Sequence, residues 1–327
     1  MYINIVRINN LNLTTIYEEL EKMKYDNTLL LSILLISSLI IMGVTAPTYA
    51  QEPLSLKIGI MPAVDSAPIL LAEEKGYYQE LNLDIKIDIY TNAVNRQSAL
   101  QTDELDGAMT DLVAFVNNVN NGFPIKITIS TDGSFPFLVK KGFAEKNKID
   151  IGMMEISVAN FLSEQFLADQ YELNKIFISA IPARLEMVKS GKLDMAIIPE
   201  PLASMGELAG LKKRVYENEY DFTPEAMIFT ETALVKKSEA ISRFHKAYNK
   251  AVREIQKDDT EAREVLINRL NLKPEIKDLI TMPVYHLARV PSRSYLNYVI
   301  EWVEEKQEEE INLSYQNMVE EKFIQND

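Results

Sequence analysis

The residues best suited to chemistry in this chain are two arginines and the polar residues that trail them. Arg96 opens RQSALQTDELDGAMTDLVA and Arg184 opens RLEMVKSGKLDMAIIPEPLA. In both stretches an Asp stands ten positions after the Arg, within the pairs Leu105-Asp106 and Leu193-Asp194, and Ala108 and Ala196 follow two places on. A guanidinium is always charged and presents a planar fork of donors, so either Arg suits bidentate recognition of an anion. The competing use of Arg96 is a helical ion pair with Asp103 or Glu104, and Arg184 follows the same argument. Each copy ends in a loop of different chemistry, Thr110-Asp111 in one and Pro199-Glu200-Pro201 in the other.

Each stretch reads as a helix, a polar turn, a short buried strand and a loop at the strand's C-terminal end, so the echo points to two similar α/β lobes. Ser55 to Met61 is an Ile-rich strand, followed by a polar loop and a helix starting near Ser66 to Pro68, with Ser66 as N-cap and Gly76 at the end. Leu83 to Tyr90 and Pro124 to Ser130 are further strands. A second series starts at Ile149, with a helix from Ser157 to about Tyr171, a strand from Ile176 to Ile181 and a helix from Pro182. Ala226 to Lys236 reads as extended, and Ser238 onward is helical with an apolar stripe through Ile241, Phe244, Tyr248, Val252 and Ile255. Alternating strands and helices predict a mostly parallel sheet in each lobe. No low-complexity linker divides the halves, so two extended crossings, near Phe135 to Lys140 and Ala226 to Lys236, are expected to join them. The expected division is 51–137 with 230–327 for one lobe and 138–229 for the other.

In parallel α/β sheets ligands sit beyond the C-terminal strand ends, where helix N-termini also point. That rule places Asp65, Ser66, Asn92, Asn95, Arg96, Thr110 and Asp111 on one rim. Asp65 and Asp111 can bind a ligand amine or hydroxyl, or cap the next helix. Ser66, Thr110, Ser134 and Ser157 can donate or cap, and a helix start at Ser157 suits an anion. Phe135 on the crossing can stack on a planar ligand or fill core, and Glu200, held between two prolines, is read as a cleft residue. An anionic ligand would use Arg96 or Arg184; a heteroaromatic one would use Phe135 with Asp65, Asp111 or Glu200.

The 327 residues suit about two domains, and a composition 47% hydrophobic and 25% charged is that of a folded protein. A net charge of −14 argues against a nucleic-acid partner. Leu29 to Val44 is an unbroken apolar and small run, preceded by Lys22 and Lys24 and followed by APTYA, which is the layout of a secretory signal over residues 1–50 with cleavage before Gln51. The run is short for a membrane span, which needs roughly 20 residues. Met23 is a better start for such a signal than the acidic segment before it. The absence of Cys leaves an exported protein without disulfides and without an N-terminal lipid site.

The sequence carries no catalytic constellation. His245 and His286 have no zinc-site spacing, and there is no phosphate loop and no nucleophile elbow, so neither a cofactor nor a metal is expected.

KIGIMPAVDSAPILLAEEKGYY, with the two Arg stretches, resembles the solute-binding components of bacterial ABC importers in the group that binds nitrate, alkanesulfonates, taurine and thiamine-pyrimidine precursors. The resemblance covers nearly all of the chain after the leader. It implies a two-lobed type II periplasmic-binding-protein fold, with two crossing strands as hinge and a small-molecule ligand enclosed between the lobes. It also implies delivery to a membrane permease driven by a separate ATPase, a monomer that meets the membrane only through that permease, and a periplasmic or extracellular location. An enzyme on the same fold, of the pyrimidine-precursor-synthase or menaquinone-pathway type, is the alternative, and the export signal weighs against it.

Overall fold

The computed structural model describes residues 14–15, 17–24, 31, 52–216 and 220–324. The chain divides into two units, Met1–Glu52 and Pro53–Asp327. In the first, residues 17–24 are helical and exposed; the expected cleavage site and, apart from Leu31, the apolar run lie outside the described residues.

The second unit alternates strands and helices in chain order. Its elements are β1 (Leu54–Ile60), α1 (Ala67–Glu74), α2 (Tyr77–Glu80), β2 (Leu83–Ile89), α3 (Ala93–Gln101), β3 (Gly107–Asp111), α4 (Leu112–Asn120), β4 (Ile125–Thr131), β5 (Phe137–Val139) and β6 (Lys148–Met153). There follow α5 (Val158–Leu167), β7 (Glu172–Phe177), α6 (Ile181–Lys189), β8 (Met195–Ile197), α7 (Leu202–Leu208), β9 (Lys212–Arg214) and β10 (Glu225–Thr230). The chain ends in helices α8 (Glu231–Lys236), α9 (Ser238–Ile255), α10 (Thr260–Arg269), α11 (Arg293–Gln307) and α12 (Tyr315–Met318). The strands form two five-stranded sheets, ordered β2-β1-β3-β10-β4 and β7-β6-β8-β5-β9.

The two orders are one arrangement used twice. In each sheet the second strand in the order, β1 or β6, pairs in parallel with a strand on either side, and one strand, β10 or β5, runs antiparallel to both of its neighbours. That opposing strand is the one delivered from the other sheet. β5 begins at Phe137 in the second sheet and β10 at Glu225 in the first, so both crossings fall slightly ahead of the borders at 138 and 230 read from sequence.

The echoed residues build the same joint in both sheets. Asp106 Oδ2 accepts from the Lys57 N–H at 2.7 Å, and Asp194 Oδ2 accepts from the Asp150 N–H at 2.7 Å. Each Asp N–H also donates back to the carbonyl of that same residue, at 2.8 and 2.9 Å. The turn is thereby stitched to the first strand of its sheet, and Lys237 pairs with Asp106 as Lys140 and Lys146 pair with Asp194. Two residues along each strand Gly59 faces Ala108 and Gly152 faces Ala196. A methyl group on Gly59 would lie 2.6 Å from Leu105, and one on Gly152 2.5 Å from Leu193, so the strand needs glycine where the Arg-bearing helix and its turn press down.

Elsewhere three expectations are corrected. β7 spans Glu172–Phe177 and not 176–181, because this edge strand opens on Glu172, Asn174 and Lys175, polar residues that hide its first half from an apolar-run reading. α5 stops at Leu167, short of Tyr171. Glu231–Lys236 is a helix and not a continued strand: the Thr230 hydroxyl accepts from the Ala233 N–H at 3.2 Å and caps it. The apolar stripe of α9 packs into the core beside α1, with Phe244 against Tyr78 and Phe229. His245, on the same helix, is fully buried and its pKa is depressed to about 3 by burial, so it is a neutral core residue.

The paired joints carry a test. Gly59→Ala and Gly152→Ala should each destabilise the fold by roughly 1–3 kcal/mol through overpacking, read as a lowered urea midpoint. Wild-type midpoints for both would contradict the close approach.

Candidate functional site

Between the C-terminal strand edges of the two sheets lies a cavity of about 100 Å³. The strand-end rule accounts for its lining. Met61 and Ala63 follow β1, Thr91 follows β2, Asp111 ends β3, Met154 follows β6, Ser179 follows β7 and Pro199 follows β8.

Of the residues expected at the site, Asp65, Arg96, Asp111, Phe135, Ser157 and Arg184 line this cavity. Asp65 sits in a single tight turn after β1, and its Oδ1 is buried without a hydrogen-bond partner. Arg96, in the first turn of α3, donates to the Thr110 hydroxyl at 3.0 Å. Asp111 takes the capping use, its Oδ1 accepting from the Ala114 N–H of α4 at 2.8 Å, and the residue also lines the cavity. Ser157 precedes α5 without capping it, its hydroxyl turned to the Met154 carbonyl at 3.1 Å. Phe135 forms a wall where the chain crosses between sheets. Arg184 enters from the first turn of α6.

The others are placed differently. Ser66 does not cap α1: its hydroxyl donates to the Ala63 carbonyl at 2.6 Å, inside the tight turn. Asn95 is exposed, and the cap of α3 is Asn92, which accepts from the Val94 N–H at 2.8 Å. Thr110 is buried beneath the cavity and acts through Arg96. Ser134 contributes its carbonyl to the Glu200 N–H at 3.0 Å. Glu200 is not a cleft residue. It is fully buried, and its carboxylate accepts from Lys213 at 2.8 Å, the Ser204 hydroxyl at 2.8 Å and the Thr281 N–H at 3.1 Å, so its charge is spent on holding the Pro199-Pro201 loop and α7.

Glu225 lines the cavity and was not among the candidates. It is the first residue of β10, paired with Asp111 on one side and Thr131 on the other, so an incoming antiparallel strand brings its opening residue to the strand ends of its neighbours. A lone carboxylate before the apolar run AMIF was the available signal.

The two sides of the cavity differ in charge. On the first-sheet side, burial and the charges of Asp65 and Asp111 push the Glu225 carboxyl well above its usual range. Burial raises Asp65 to about 7, opposed in part by its own backbone N–H, the Arg96 guanidinium and the Thr131 hydroxyl. Burial also raises Asp111, opposed by the Ala114 N–H, Arg96 and the Val158 N–H at the start of α5. Arg96 itself is lowered by burial and supported by all three carboxylates. Arg184 has no such company. It is 3% exposed, burial alone lowers its pKa to about 10, its Nε has no partner, and one terminal nitrogen reaches only the Ile197 carbonyl at 3.4 Å. At neutral pH it remains a buried cation without a neutralising carboxylate. Among the described residues no cluster of three or more His, Asp or Glu can hold a metal ion.

The model of the NMT1-like family matches residues 49–271. The chain belongs to the NMT1-like family. No curated protein sequence matches it. Among solved structures, this NMT1-like chain is similar to the ligand-binding component of an ABC-type import system from Staphylococcus aureus, solved with zinc bound, at 14% identity and TM-score 0.71 over 83% of this chain and 97% of that one. It is similar to the alkanesulfonate-binding protein SsuA from Xanthomonas axonopodis pv. citri bound to MOPS, at 17% identity and TM-score 0.60 over 79% and 93%. It is also similar to a Candida albicans protein, CA3427, described as having the generic periplasmic binding protein fold, at 16% identity and TM-score 0.58 over 78% and 89%. The fold of the NMT1-like chain is therefore the two-lobed periplasmic-binding-protein fold.

The raised Asp65 carboxyl gives a stability test. Folded protein binds a proton at Asp65 between its ordinary value of 3.8 and about 7, where unfolded chain has released it, so this group's contribution to stability is lost as pH rises through that window. The Tm of Asp65→Asn relative to wild type should therefore climb from pH 4 to pH 7 and level off above. A pH-independent difference would contradict the raised carboxyl.

Proposed function

We propose that the protein is the extracytoplasmic solute-binding subunit of an ABC importer and not an enzyme, capturing a small anionic or heteroaromatic solute between its lobes. The observation that carries this reading is Arg184. A buried guanidinium without a counter-charge costs several kcal/mol, and a cavity-lining one is relieved by an anionic ligand. The bidentate geometry of Arg suits a carboxylate or sulfonate. Phe135 offers a flat wall to a ring. The family and the import-system relatives support the transport role, and the leader of residues 1–50 supports export, to a periplasmic or extracellular location.

The mechanism is a population shift. A solute that touches Arg184 from one lobe and Arg96, Asp65 or Asp111 from the other has more contacts when the lobes are closed, and that differential affinity holds them closed for presentation to the permease and its ATPase. A monomer suffices for this, since every group named belongs to one chain. The cavity residues form no nucleophile-and-base pair, which favours binding over turnover.

Isothermal titration against nitrate, alkanesulfonates, small carboxylates and aminopyrimidines tests the proposal. At least one should bind, and Arg184→Gln should weaken it by at least about 30-fold while raising or preserving the Tm of the ligand-free protein, because the substitution removes an unpaired buried charge. Binding by none, with turnover of one of them instead, would sink the reading; so would wild-type affinity in Arg184→Gln.

A further inference from the structure

The helix that opens on the cavity is gripped from the other lobe at its middle, and the consequence for capture rests on the solute-binding reading above. Val158 and Ala159, in the first turn of α5, line the cavity, and the Val158 N–H supports the Asp111 carboxylate of the first lobe. Further along α5, Glu164 Oε2 accepts from Trp302 Nε1 at 2.6 Å and pairs with Lys306 at 3.0 Å, both on α11, while Oε1 takes Lys175 of β7. Phe161, between these two points, meets Tyr298 and Trp302 edge to face, with ring centroids 5.3 and 5.5 Å apart. α11 is itself bound to the first lobe. It packs on α4, and Gln307 Nε2 donates to Asn117 Oδ1 at 2.9 Å. Tyr298 also stacks at 5.0 Å on Tyr220, in the segment that leads from β9 to β10. One helix thus touches both lobes and one of the two crossings.

The rest of this seam is aromatic, and apolar contact is non-directional, so it tolerates small sliding. The carboxylate does not. Burial pushes Glu164 up, but the Lys175, Trp302 and Lys306 donors outweigh it and hold the carboxyl below its usual range. A charge-assisted hydrogen bond to a buried indole N–H has a narrow range of length and direction, so it fixes how far α5 lies along α11. Six residues of helix, roughly 9 Å, separate Glu164 from Val158, and over that span a helix moves as one piece.

We infer that Glu164 is a positioning residue for solute capture: through Trp302 and Lys306 it sets where the cavity-facing turn of α5 stands against the Asp111 wall, without touching the solute. Removing the carboxylate leaves the aromatic contact in place and lets α5 shift. A solute that bridges the lobes then gains less from closure, because the closed geometry is less well defined.

The chain has no Cys, so two introduced ones report on the lobes alone. Val94→Cys and Ile156→Cys place spin labels at exposed positions, one in the first turn of α3 and one just ahead of α5. Pulsed EPR on the solute-free full chain should give a longer and broader label–label distance in Glu164→Ala than in the parent. Trp302→Phe, which keeps a ring and removes only the donor, should do the same and decides the matter if Glu164→Ala does not fold. Glu164→Gln retains an acceptor for the indole and should recover most of the parent distance. Whichever titrant of the panel above binds wild type should bind Glu164→Ala roughly 2- to 30-fold less tightly, the range for residues that act on a site without contact. A lowered Tm with the parent distance and affinity would make Glu164 a packing residue only and overturn the inference. If no titrant binds, the solute-binding reading fails, while the distances still decide whether Glu164 positions α5.

Discussion

A guanidinium buried at the edge of a cavity with no carboxylate to neutralise it is the constraint around which the rest of this structure makes sense. Arg184 could have been paired, as Lys213 is with Glu200 a short way along the same lobe. It is left unpaired, next to a helix start, at a place where a second lobe closes over it. Its fold-mate Arg96 occupies the matching place in the other lobe and is surrounded by acids. The same scaffold thus presents one wall whose guanidinium has no acid beside it and one whose guanidinium has three, and what separates the two walls is loop chemistry.

That scaffold is held by interactions remote from any ligand. The paired Asp106 and Asp194 stitch each helix-turn-strand unit to the first strand of its sheet, and Gly59 and Gly152 let the Arg-bearing helices lie close. The Arg side chains are therefore placed by rigid backbone and not by flexible loops, which limits how much ordering a ligand must supply. On the flank of the cavity Phe161 of α5 packs against Tyr298 and Trp302 of α11, so the lobes meet through apolar contact as well as through the crossings.

The architecture was largely legible in the sequence because it is written in backbone terms. The repeated Arg, Leu-Asp and Ala, the strand-then-polar-loop pattern and the Pro182 helix start all report local structure, and local structure fixes which end of each strand faces the cleft. Glu200 was misread because its neighbours in sequence are prolines while its partners, Lys213 and Thr281, come from distant elements. Glu225 was missed for a related reason: an antiparallel strand meets the cleft with its first residue, whereas the rule for parallel strands directs attention to last residues. Whether Asp65 is satisfied by a neighbour or left for a ligand is likewise a matter of three-dimensional pairing that no spacing along the chain records.

The central claim, that Arg184 is left unpaired for an anionic group of the transported solute, is most directly tested by a crystal structure of the protein with the solute it carries when purified from its own cells. Density is expected in the cavity with an anionic group in hydrogen-bond contact with the Arg184 guanidinium. A bound solute that leaves Arg184 untouched, or an Arg184 paired with a carboxylate of its own chain in the closed state, would contradict it.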